Sequence, residues 1–567
     1  MQKRWEFTEY DVIEATELHQ QLKIHPIFCQ LLVQRGINNF EAAKKFFRPQ
    51  LSHLHDPFLM KGMERAVQRI GQAIIKKEKI LIYGDYDVDG TTSVALMYRF
   101  FAKYHAHLDT YLPDRYKEGY GISIKGIEYA TTNQCTLIIA LDCGIKAHEA
   151  IQFANQKDID VIVCDHHLPS PKLPEAYAIL NPKQADCNYP YKELSGCAIG
   201  FKLIEGFAQL YNISFEEEVR PILDLVAISL ACDFVPLTGE NRVLSYFGLQ
   251  QLNQNPRLGL RVLMVLLGKS NAYTIRDVVF GIGPLINAAG RLLHASKAVD
   301  LLVAQDKVQA QDLAKELLAI NQERRDIEHD IVLVAKQMVE GDIIFAEKKA
   351  TVLFKETWHK GVIGIVASRM VDLYHKPTII FTESNGRIVG SARSVAGFDI
   401  YQAIAKCEDL LVNYGGHKYA AGLTLKPSNL EEFTQRFQRI VAQNIHPLQE
   451  QATQYIDATL HLDSVNDKFW QLLEQFAPFG PKNMRPVFSS KHLQDTGYSK
   501  LLKNRHLRLV VQEEKGATME GIAFGLGEYI NDLQAQKPFE MCYVIEENTF
   551  KGKTKLQLNV KDMRFRS

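Results

Sequence analysis

Five short β-rich runs alternate with helical stretches between Lys79 and Leu237, and this alternation restricts the fold more than any other feature of the sequence. The runs are KILIYGD, LDTYLPD, TLIIALD, DVIVCDHH and AYAILNP, and TTSVALMYRFFAKY is typical of the helical stretches between them. Strands that alternate with helices predict a parallel, doubly wound sheet. We therefore expect an α/β fold with a mainly parallel sheet in this part of the chain.

Acidic and imidazole side chains follow the predicted strands at the points where those strands end. They are Asp85, Asp87 and Asp89 after the first run, Asp142 after the third, Asp165, His166 and His167 after the fourth, and Asp233 in the later segment ISLACDFVPL. The carboxyl ends of the strands of a doubly wound sheet line one edge, where ligands bind. The sequence therefore predicts that these groups converge on one site.

So many carboxylates do not share a crevice in ionised form unless cations neutralise them. Carboxylate oxygens with one or two imidazoles, and no dedicated thiolate, suit Mg²⁺ or Mn²⁺, and the imidazole favours Mn²⁺. Five or more ligands can hold two ions about 3.5 to 4 Å apart, as in metal-dependent phosphoryl hydrolysis. The alternative for a single acid such as Asp89 or Asp165 is a helix cap or a turn residue. The neighbouring Cys143, Cys164 and Cys232 are better explained as small buried hydrophobic residues.

The remaining sequence predicts further domains, since 567 residues exceed the usual domain size of about 100 to 200 residues. A long, charged segment without Gly or Pro, residues 306–340, predicts one helix that connects two lobes. The strands ATVLFKE, KPTIIFTE and GRIVGSARS predict a second α/β unit, and alternating runs near the end predict a small β-barrel. The predicted ranges are an N-terminal helical segment 1–75, the first α/β domain 76–270, a helical connector 271–345, the second α/β domain 346–450 and the barrel 455–567.

Charge and cysteine content limit the function classes. Lys plus Arg and Asp plus Glu number 66 each, so a polyanionic partner requires a local basic patch. The nine cysteines include no CxxC pair, which argues against a disulfide framework and a structural zinc site and favours a reducing, cytoplasmic setting. We find neither a signal peptide nor an apolar run of about 18 residues, and we expect no association with a membrane.

Several segments, taken in order, carry a resemblance to a known family. GDYDVDGTTS, ALDCG, CDHH and ACDFVPL resemble the four motifs of the DHH phosphoesterase superfamily, and GGHKYAAG at 415–422 resembles the signature of its associated DHHA1 domain. The long form, with FGIGPLINAAGRL, WHKGVIGIVASR, GSARSVAGFD and a terminal barrel, is similar to the RecJ family of bacterial exonucleases. The resemblance implies a DHH domain, a DHHA1 domain and an OB-fold, and a 5′ to 3′ exonuclease specific for single-stranded DNA that acts in repair and recombination.

The resemblance also implies roles for individual residues. His167 would act beside the scissile phosphate as a hydrogen-bond donor or proton carrier, with Asp142 and Asp85 also at the catalytic centre. The implied metal ligands are Asp87, Asp89, Asp142, His166 and Asp233. The implied substrate-binding residues are Arg115, Asn287, Arg291, Ser391, Arg393, Gly415, Gly416 and His417. For any one arginine the alternative is a solvated surface charge, and for the GGHKYAAG segment it is a turn that enters a helix.

Two other classes of function remain open at this point. Small-molecule phosphoesterases that cleave short oligonucleotides or cyclic dinucleotides use the same core, and a non-catalytic replication scaffold with eroded ligands shares the fold. The extra domains favour a polymeric substrate, and the complete set of acids favours an enzyme. In the barrel, the segment YSKLLKNRHLRL places Lys500, Lys503, Arg505 and Arg508 near Tyr498, which favours contact with a single strand over solvated charge. By resemblance we expect two Mn²⁺ or Mg²⁺ ions, single-stranded DNA as substrate, a helicase and a single-strand binding protein as partners, and a monomer.

Overall fold

The structure, a computed structural model, describes residues 3–269, 271–513, 516–550 and 552–565. The predicted domain bounds at residues 1, 270 and 567 lie outside the described residues. The strands are β1 (Arg4–Phe7), β2 (Lys79–Gly84), β3 (Leu108–Tyr111), β4 (Cys135–Leu141), β5 (Asp160–Cys164), β6 (Ala178–Leu180), β7 (Thr351–Phe354), β8 (Thr378–Ser384), β9 (Arg387–Arg393), β10 (Leu411–His417), β11 (Ala420–Leu425), β12 (Thr453–Ile456), β13 (Ala458–Thr459), β14 (Phe488–Asp495), β15 (Lys500–Leu502), β16 (His506–Glu513), β17 (Thr518–Ala523), β18 (Phe539–Phe550) and β19 (Lys553–Phe565).

The α-helices cover much of the rest of the described chain. They are α1 (Val12–Leu22), α2 (Pro26–Val33), α3 (Phe40–Phe47), α4 (Met63–Ile75), α5 (Val88–Phe101), α6 (Ile124–Thr132), α7 (His148–Asn155), α8 (Gly196–Leu210), α9 (Leu223–Cys232), α10 (Gly239–Gln254), α11 (Leu258–Leu266), α12 (Ile275–Asp277), α13 (Gly283–Leu292), α14 (Ser296–Val303), α15 (Lys307–Glu340), α16 (Ile363–Tyr374), α17 (Ile400–Ala405), α18 (Leu430–Asn444), α19 (Asp467–Glu474) and α20 (Ile530–Gln534). None of the helices in the described ranges has the length and apolar character that a membrane span requires.

The chain forms two compact units. One consists mainly of Ala319–Tyr455, and the other consists of Phe7–Leu318 with the segment from Ile456 onward. The predicted connecting helix is α15, which begins in the larger unit and ends in the smaller one.

The larger unit contains the predicted parallel sheet. Its strand order is β3-β2-β4-β5-β6, and every neighbouring pair is parallel. The central strand β4 is almost entirely buried, as expected for a strand that helices cover on both faces. The expectation of a doubly wound α/β domain is confirmed.

The smaller unit contains a mixed sheet with the order β10-β11-β9-β8-β7. The three strands predicted here are β7, β8 and β9, and only the β7–β8 pair is parallel. The GGHKYAAG segment forms the hairpin of β10 and β11, so the alternative of a turn that enters a helix is wrong. A pattern of glycines does not by itself distinguish a turn from a strand with little side-chain surface.

The C-terminal strands form the predicted barrel. Strands β14, β18, β19, β17 and β16 pair in that order, and the further antiparallel pairing of β14 with β16 closes the ring. Helices α1, α2 and α3 contribute Leu18, Phe28 and Phe46 to the same hydrophobic core as the barrel. The start and the end of the chain therefore share one core.

Candidate metal centre

The acids predicted at the strand ends come together in the larger unit. Asp85 directly follows β2, Asp142 directly follows β4, and His166 lies two residues after β5. Asp87 is the N-cap residue of α5, where its carboxylate accepts a hydrogen bond from the Gly90 amide. Two helices and three strand ends thus contribute to one site, because Asp233 directly follows the C-terminal end of α9.

His166 is the central group of this cluster. Its Nε2 lies 3.2 Å from Asp142 Oδ1 and 3.9 Å from Asp89 Oδ2, and its Nδ1 lies 3.6 Å from Asp233 Oδ2. Both ring nitrogens therefore face carboxylate oxygens.

Potential ligand atoms in the cluster lie within 4.8 Å of one another in three groups. Two of these groups have no member in common, and each offers three side chains to a cation. They are Asp85 with Asp87 and Asp142, and Asp89 with His166 and Asp233. The third group, Asp142 with His166 and His167, links them.

Asp89 serves two purposes in this arrangement. Its Oδ2 accepts a hydrogen bond of 2.6 Å from the Gly196 amide, and its Oδ1 accepts bonds of 2.9 Å from the Cys197 amide and 2.5 Å from Ser229 Oγ. The two amides belong to the first turn of α8, where a negative charge is stabilised. Asp89 is not itself an N-cap residue, since Asp87 caps α5 and Ser195 caps α8, but its bonds to the start of α8 hold its carboxylate close to His166.

Backbone geometry at the site leaves little room for larger residues. Asp142 has φ of 59°, in the left-handed region that non-glycine residues seldom adopt. A Cβ at Gly196 would lie 2.6 Å from Asp142 Cβ, and a Cβ at Gly90 would lie 2.3 Å from the Asp85 carbonyl oxygen. These glycines allow α8 and α5 to approach the acids closely.

The ionisation of the cluster reflects burial and like charge. Burial raises the pKa of Asp85, Asp142 and Asp233 well above the ordinary value. A neighbouring carboxylate adds to this effect: Asp87 acts on Asp85, and Asp89 acts on Asp142 and Asp233. Burial also lowers the pKa of His166, which favours its neutral form. The cluster therefore resists full ionisation unless a cation is present.

His167 is held by Asp165. Its Nδ1 lies 2.7 Å from Asp165 Oδ1, and the other oxygen of this buried carboxylate accepts a hydrogen bond from the Ile145 amide. Burial lowers the pKa of His167, but the bond to Asp165 raises it, and the net direction is upward. The Tyr120 hydroxyl donates to the Asp142 carbonyl oxygen and lies 3.1 and 3.3 Å from the two ring nitrogens of His167.

The residues of the cluster fit divalent cations. Asp85 Oδ1 and Asp233 Oδ2 are buried oxygens without a hydrogen-bond partner in the described structure. Buried carboxylate oxygens normally have a partner, and a bound cation would supply one here. Carboxylates with one imidazole form a donor set for Mg²⁺ or Mn²⁺.

The two arginines predicted in the larger unit lie beside the cluster. The Arg115 guanidinium lies over the Tyr86 ring, 4.7 Å from its centroid, and acts electrostatically on Asp85 and Asp87. Arg291 lies in the last turn of α13, and its carbonyl oxygen accepts a hydrogen bond from the Tyr116 hydroxyl. Asn287 is half-buried one turn earlier on the same helix.

The residues predicted in the smaller unit share one patch of its sheet. Across β10, β11 and β9, His417 pairs with Ala420, which pairs with Arg393. In a second row of residues paired across the same strands, Gly415 pairs with Gly422, which pairs with Ser391. The Ser391 Oγ accepts a hydrogen bond from Arg393 Nη1. Side chains two residues apart on a strand lie on the same face, so these groups form a polar surface with little bulk. Gly416 lies between the two rows, with φ of 145°.

The predicted basic segment of the barrel lies at β15 and β16. Arg508 forms an ion pair of 3.0 Å with Glu520, which fits the alternative of solvated surface charge for this residue. Lys500 pairs with Arg508 across the strands, and Lys503 is exposed in the turn that follows β15. Tyr498 has 71% of its surface exposed, an orientation open to stacking with a base.

Sequence reasoning missed three groups at the site. Tyr120 lies in the segment LPDRYKEGYG, but a lone tyrosine gives no signal of its contact with His167. Gly196 and Ser229 lie on helices remote in sequence from Asp89, and only the fold brings them together. No periodicity or spacing in the sequence reports such contacts.

Comparison with known proteins agrees with this geometry. The model of the DHH family, N-terminal domain, matches residues 79–230, the DHHA1 domain model matches residues 347–443, and the RecJ OB domain model matches residues 456–562. Together with the buried acids and His166 at the edge of a parallel sheet, these matches define a protein of the DHH phosphoesterase class.

Full-length relatives narrow the assignment. The chain is 35% identical to the single-stranded-DNA-specific exonuclease RecJ of Bacillus subtilis, over 99% of this chain and 70% of the relative. It is 32% identical to the protein of the same name from Dickeya dadantii, over 97% of both. The crystal structure of RecJ in complex with Mn²⁺ from Thermus thermophilus superimposes with a TM-score of 0.85 and 26% identity, over all of this chain and 80% of that one. The chain belongs to the RecJ family.

Proposed function

We propose that this protein is a metal-dependent exonuclease that hydrolyses single-stranded DNA. The observation that carries the proposal is the pair of separate ligand groups that meet at His166 and Asp142. The names of the relatives, single-stranded-DNA-specific exonuclease, support the substrate. A structure of the Thermus thermophilus relative in complex with Mg²⁺, beside the one with Mn²⁺, supports the choice of ions.

The proposed metal ligands are the two groups of acids with His166, that is Asp87, Asp89, Asp142, His166 and Asp233, with Asp85 close to the same ions. Two bound ions would lower the pKa of water and neutralise the charge that develops on the phosphate oxygens. Asp142 belongs to two of the three groups of ligand atoms, one with Asp85 and Asp87 and one with His166 and His167. The amides of α8 fix Asp89 and therefore keep one side of the site in place before an ion binds.

The protein's own donors complete the proposed site. His167, whose pKa is raised by Asp165, is suited to donate a hydrogen bond or a proton at the reacting phosphate. Asp165 orients the ring through Nδ1, and Nε2, which lies 3.3 Å from the Tyr120 hydroxyl, would face the substrate. Arg115 and Arg291 present planar guanidinium groups that suit phosphate oxygens, and Asn287 adds an amide on the same helix as Arg291.

The smaller unit and the barrel account for a polymeric substrate in this proposal. Ser391, Arg393 and His417, with the glycines Gly415 and Gly416, would bind the backbone of the strand, because the low bulk of this surface lets phosphates approach the sheet. The exposed Tyr498 and Lys503 would track a single strand by stacking and charge. We propose digestion from the 5′ end with release of 5′-mononucleotides, in DNA repair and recombination.

One experiment tests this function against both alternatives. The protein is incubated with Mn²⁺ and with 5′-labelled or 3′-labelled single strands, duplex DNA, and short linear or cyclic dinucleotides. We expect mononucleotides from single strands, with early loss of the 5′ label. A preference for dinucleotides would identify a small-molecule phosphodiesterase, and no hydrolysis of any substrate would identify a non-catalytic scaffold. The complete set of acids in the structure argues against the scaffold.

The setting of the protein follows from the same proposal. None of the nine cysteines, all of which lie in the described ranges, forms a disulfide, and eight of them are buried, which suits a reducing, cytoplasmic environment. We propose that the protein acts as a monomer on strands that a helicase unwinds and a single-strand binding protein covers. Co-purification of the tagged protein with each partner, and sedimentation of the free protein, test these statements.

A further inference from the structure

A basic cavity lies in the larger unit at a distance from the acid cluster. It has a volume of about 290 Å³ and is lined by residues of α5, the segment before α9, and the α10–α11 junction. Arg99 stands near the end of α5, and Asp89 stands ten residues earlier, about 15 Å away along the helix axis. Asp224, which binds one of the lining arginines, lies in the first turn of α9, and Asp233 follows the other end of that helix. The cavity and the acid cluster therefore lie at opposite ends of the same two helices.

The cavity carries an excess of positive charge. Four cationic side chains line it, and one acidic side chain, Glu218, joins them. Glu218 is paired with Lys103, and the fully buried Asp224 holds Arg257 through bonds of 2.6 Å to Nη2 and 3.0 Å to Nε. Two guanidinium groups remain without a carboxylate partner in the described part of the chain, and these are the groups available to an anion.

The two groups are those of Arg99 and Arg261. Arg261 is exposed at the mouth of the cavity and bonds to neutral oxygens, 3.2 Å to the Pro256 carbonyl and 3.4 Å to Asn255 Oδ1, so no carboxylate pairs with it in the described part of the chain. Arg99 is half-buried, and burial, with the nearby charge of Arg257, lowers its pKa, although the charge of Asp224 acts in the opposite direction. An anion in the cavity would pair with the guanidinium groups of Arg99 and Arg261.

The cavity walls also suit a ligand with an apolar part. Leu258 and Pro256 line one side, and the first turn of α11 begins there with an N-cap residue, Arg257, whose side chain does not cap the helix. The volume lies near the lower end of the roughly 300 to 1,000 Å³ of small-molecule sites. A cavity of this size favours a small ligand over a length of nucleic acid.

We propose that this cavity is a second binding site, for a small phosphate-bearing molecule of the size of a nucleoside monophosphate. The planar forks of Arg99 and Arg261 would bind the phosphate, and the apolar wall would contact the rest of the ligand. The site is separate from the proposed catalytic centre and requires no metal. A ligand here would contact α5, which carries Asp89, and the segment that leads into α9, which packs against α5.

The test measures binding of deoxythymidine 5′-monophosphate to the full-length protein in EDTA, by titration calorimetry. The double variant Arg99→Gln, Arg261→Gln is compared with wild type and with Arg276→Gln, a control arginine whose side chain is 70% exposed in the same unit. We expect the double variant to lose one binding event, or to bind at least tenfold more weakly, because each lost charge-assisted contact is worth about tenfold or more. The control should bind as wild type does. Thermal unfolding of each variant verifies that the fold is retained.

Further ligands identify what the cavity recognises. Thymidine, which lacks the phosphate, should not bind at this site, and inorganic phosphate should compete for it. If inorganic phosphate binds as tightly as the nucleotide, the source of the anion is free phosphate. The proposal would be overturned if the double variant gave the same isotherm as wild type or if thymidine bound as tightly as the nucleotide. It would also be overturned if a single-stranded oligonucleotide bound at this site and the mononucleotide did not. No step of this test depends on hydrolysis, so its outcome is independent of the proposed exonuclease activity.

Discussion

Replacing Asp142 by asparagine should make the metal-free protein more stable while it abolishes metal-dependent hydrolysis. The ligand atoms of Asp142, Asp85 and Asp87 all lie within 4.8 Å of one another. At an effective dielectric constant near 20, two unit charges at that distance repel by about 3.5 kcal/mol. Burial is the larger effect and adds to this repulsion, so the folded protein disfavours ionisation of Asp142, whereas its protonation at pH 8 costs about 5.6 kcal/mol relative to an ordinary aspartate.

An asparagine removes the cost of protonating Asp142 and introduces a smaller cost, that of a buried amide donor. Its amide group leaves one buried donor to be satisfied, at about 1 to 3 kcal/mol, while its oxygen can still face His166 Nε2. The net gain in the free energy of unfolding is therefore about 3 to 5 kcal/mol at pH 8 without metal. A protein of this size should then melt several degrees higher, since 1 kcal/mol shifts the melting temperature of a 150- to 250-residue domain by about 2 to 4 °C.

The dependence on pH gives the same prediction a second form. The folded-state pKa of Asp142 is raised, so the folded protein binds more protons than the unfolded chain between the ordinary and the raised value. That contribution to stability is fully present below about pH 4 and is lost as the pH rises through the raised pKa. Wild-type protein in EDTA should therefore lose stability from pH 5 to pH 8, and the asparagine variant should lose less.

The assay is thermal and urea unfolding in EDTA and in Mn²⁺, with Asp186→Asn as a control. Asp186 is exposed and paired with Lys61, and its loss should leave stability almost unchanged, because a surface ion pair contributes little. Mn²⁺ should stabilise wild type strongly and the Asp142 variant little. A metal-free variant that is less stable than wild type at pH 8, with the same slope against pH, would refute the account of the cluster as unneutralised like charge.

Three further predictions address positioning, packing and DNA contact. Asp165→Asn should lower kcat and move the limb of the pH–rate profile that depends on protonated His167 to lower pH, because the carboxylate raises the pKa of that ring; an unmoved profile would mean that Asp165 has only a structural role. Gly196→Ala should weaken Mn²⁺ binding at least tenfold in calorimetry, since the new Cβ must displace the Asp142 side chain, whereas Gly281→Ala, with its nearest neighbour at 3.7 Å, should bind Mn²⁺ normally; equal affinities would contradict the role of the close approach. Lys503→Ala should reduce the slope of log affinity for single-stranded DNA against log salt by about 0.7, and an unchanged slope would show that this lysine does not contact the backbone.

Much of the larger unit was predictable because its signals are local. Each parallel strand is a short apolar run, and the acids follow those runs directly, so topology alone brings Asp85, Asp142 and His166 to one edge. The long helix α15 also follows from an uninterrupted polar pattern. Asp233 was harder to place, since it follows a helix and not a strand.

The parts that escaped prediction depend on contacts between distant segments. The hairpin of β10 and β11 has glycines where strands usually carry β-branched residues, so its pairing with β9 is invisible in the pattern. The amides that hold Asp89 lie more than 100 positions further along the chain. The bond between His167 and Asp165 is local, but its orientation depends on how the chain turns after β5.

The shared core of the N-terminal helices and the barrel has a consequence for synthesis on the ribosome. The Phe28 ring lies 4.6 Å from the Phe469 ring, so a side chain made early packs on one made more than 400 residues later. At a rate of synthesis of about 5 to 20 residues per second, the apolar faces of α2 and α3 are made roughly 20 to 90 s before the barrel residues that cover them. The nascent chain therefore exposes the apolar surface of α2 and α3 through most of its elongation, and these helices complete their packing only when the last strands have emerged.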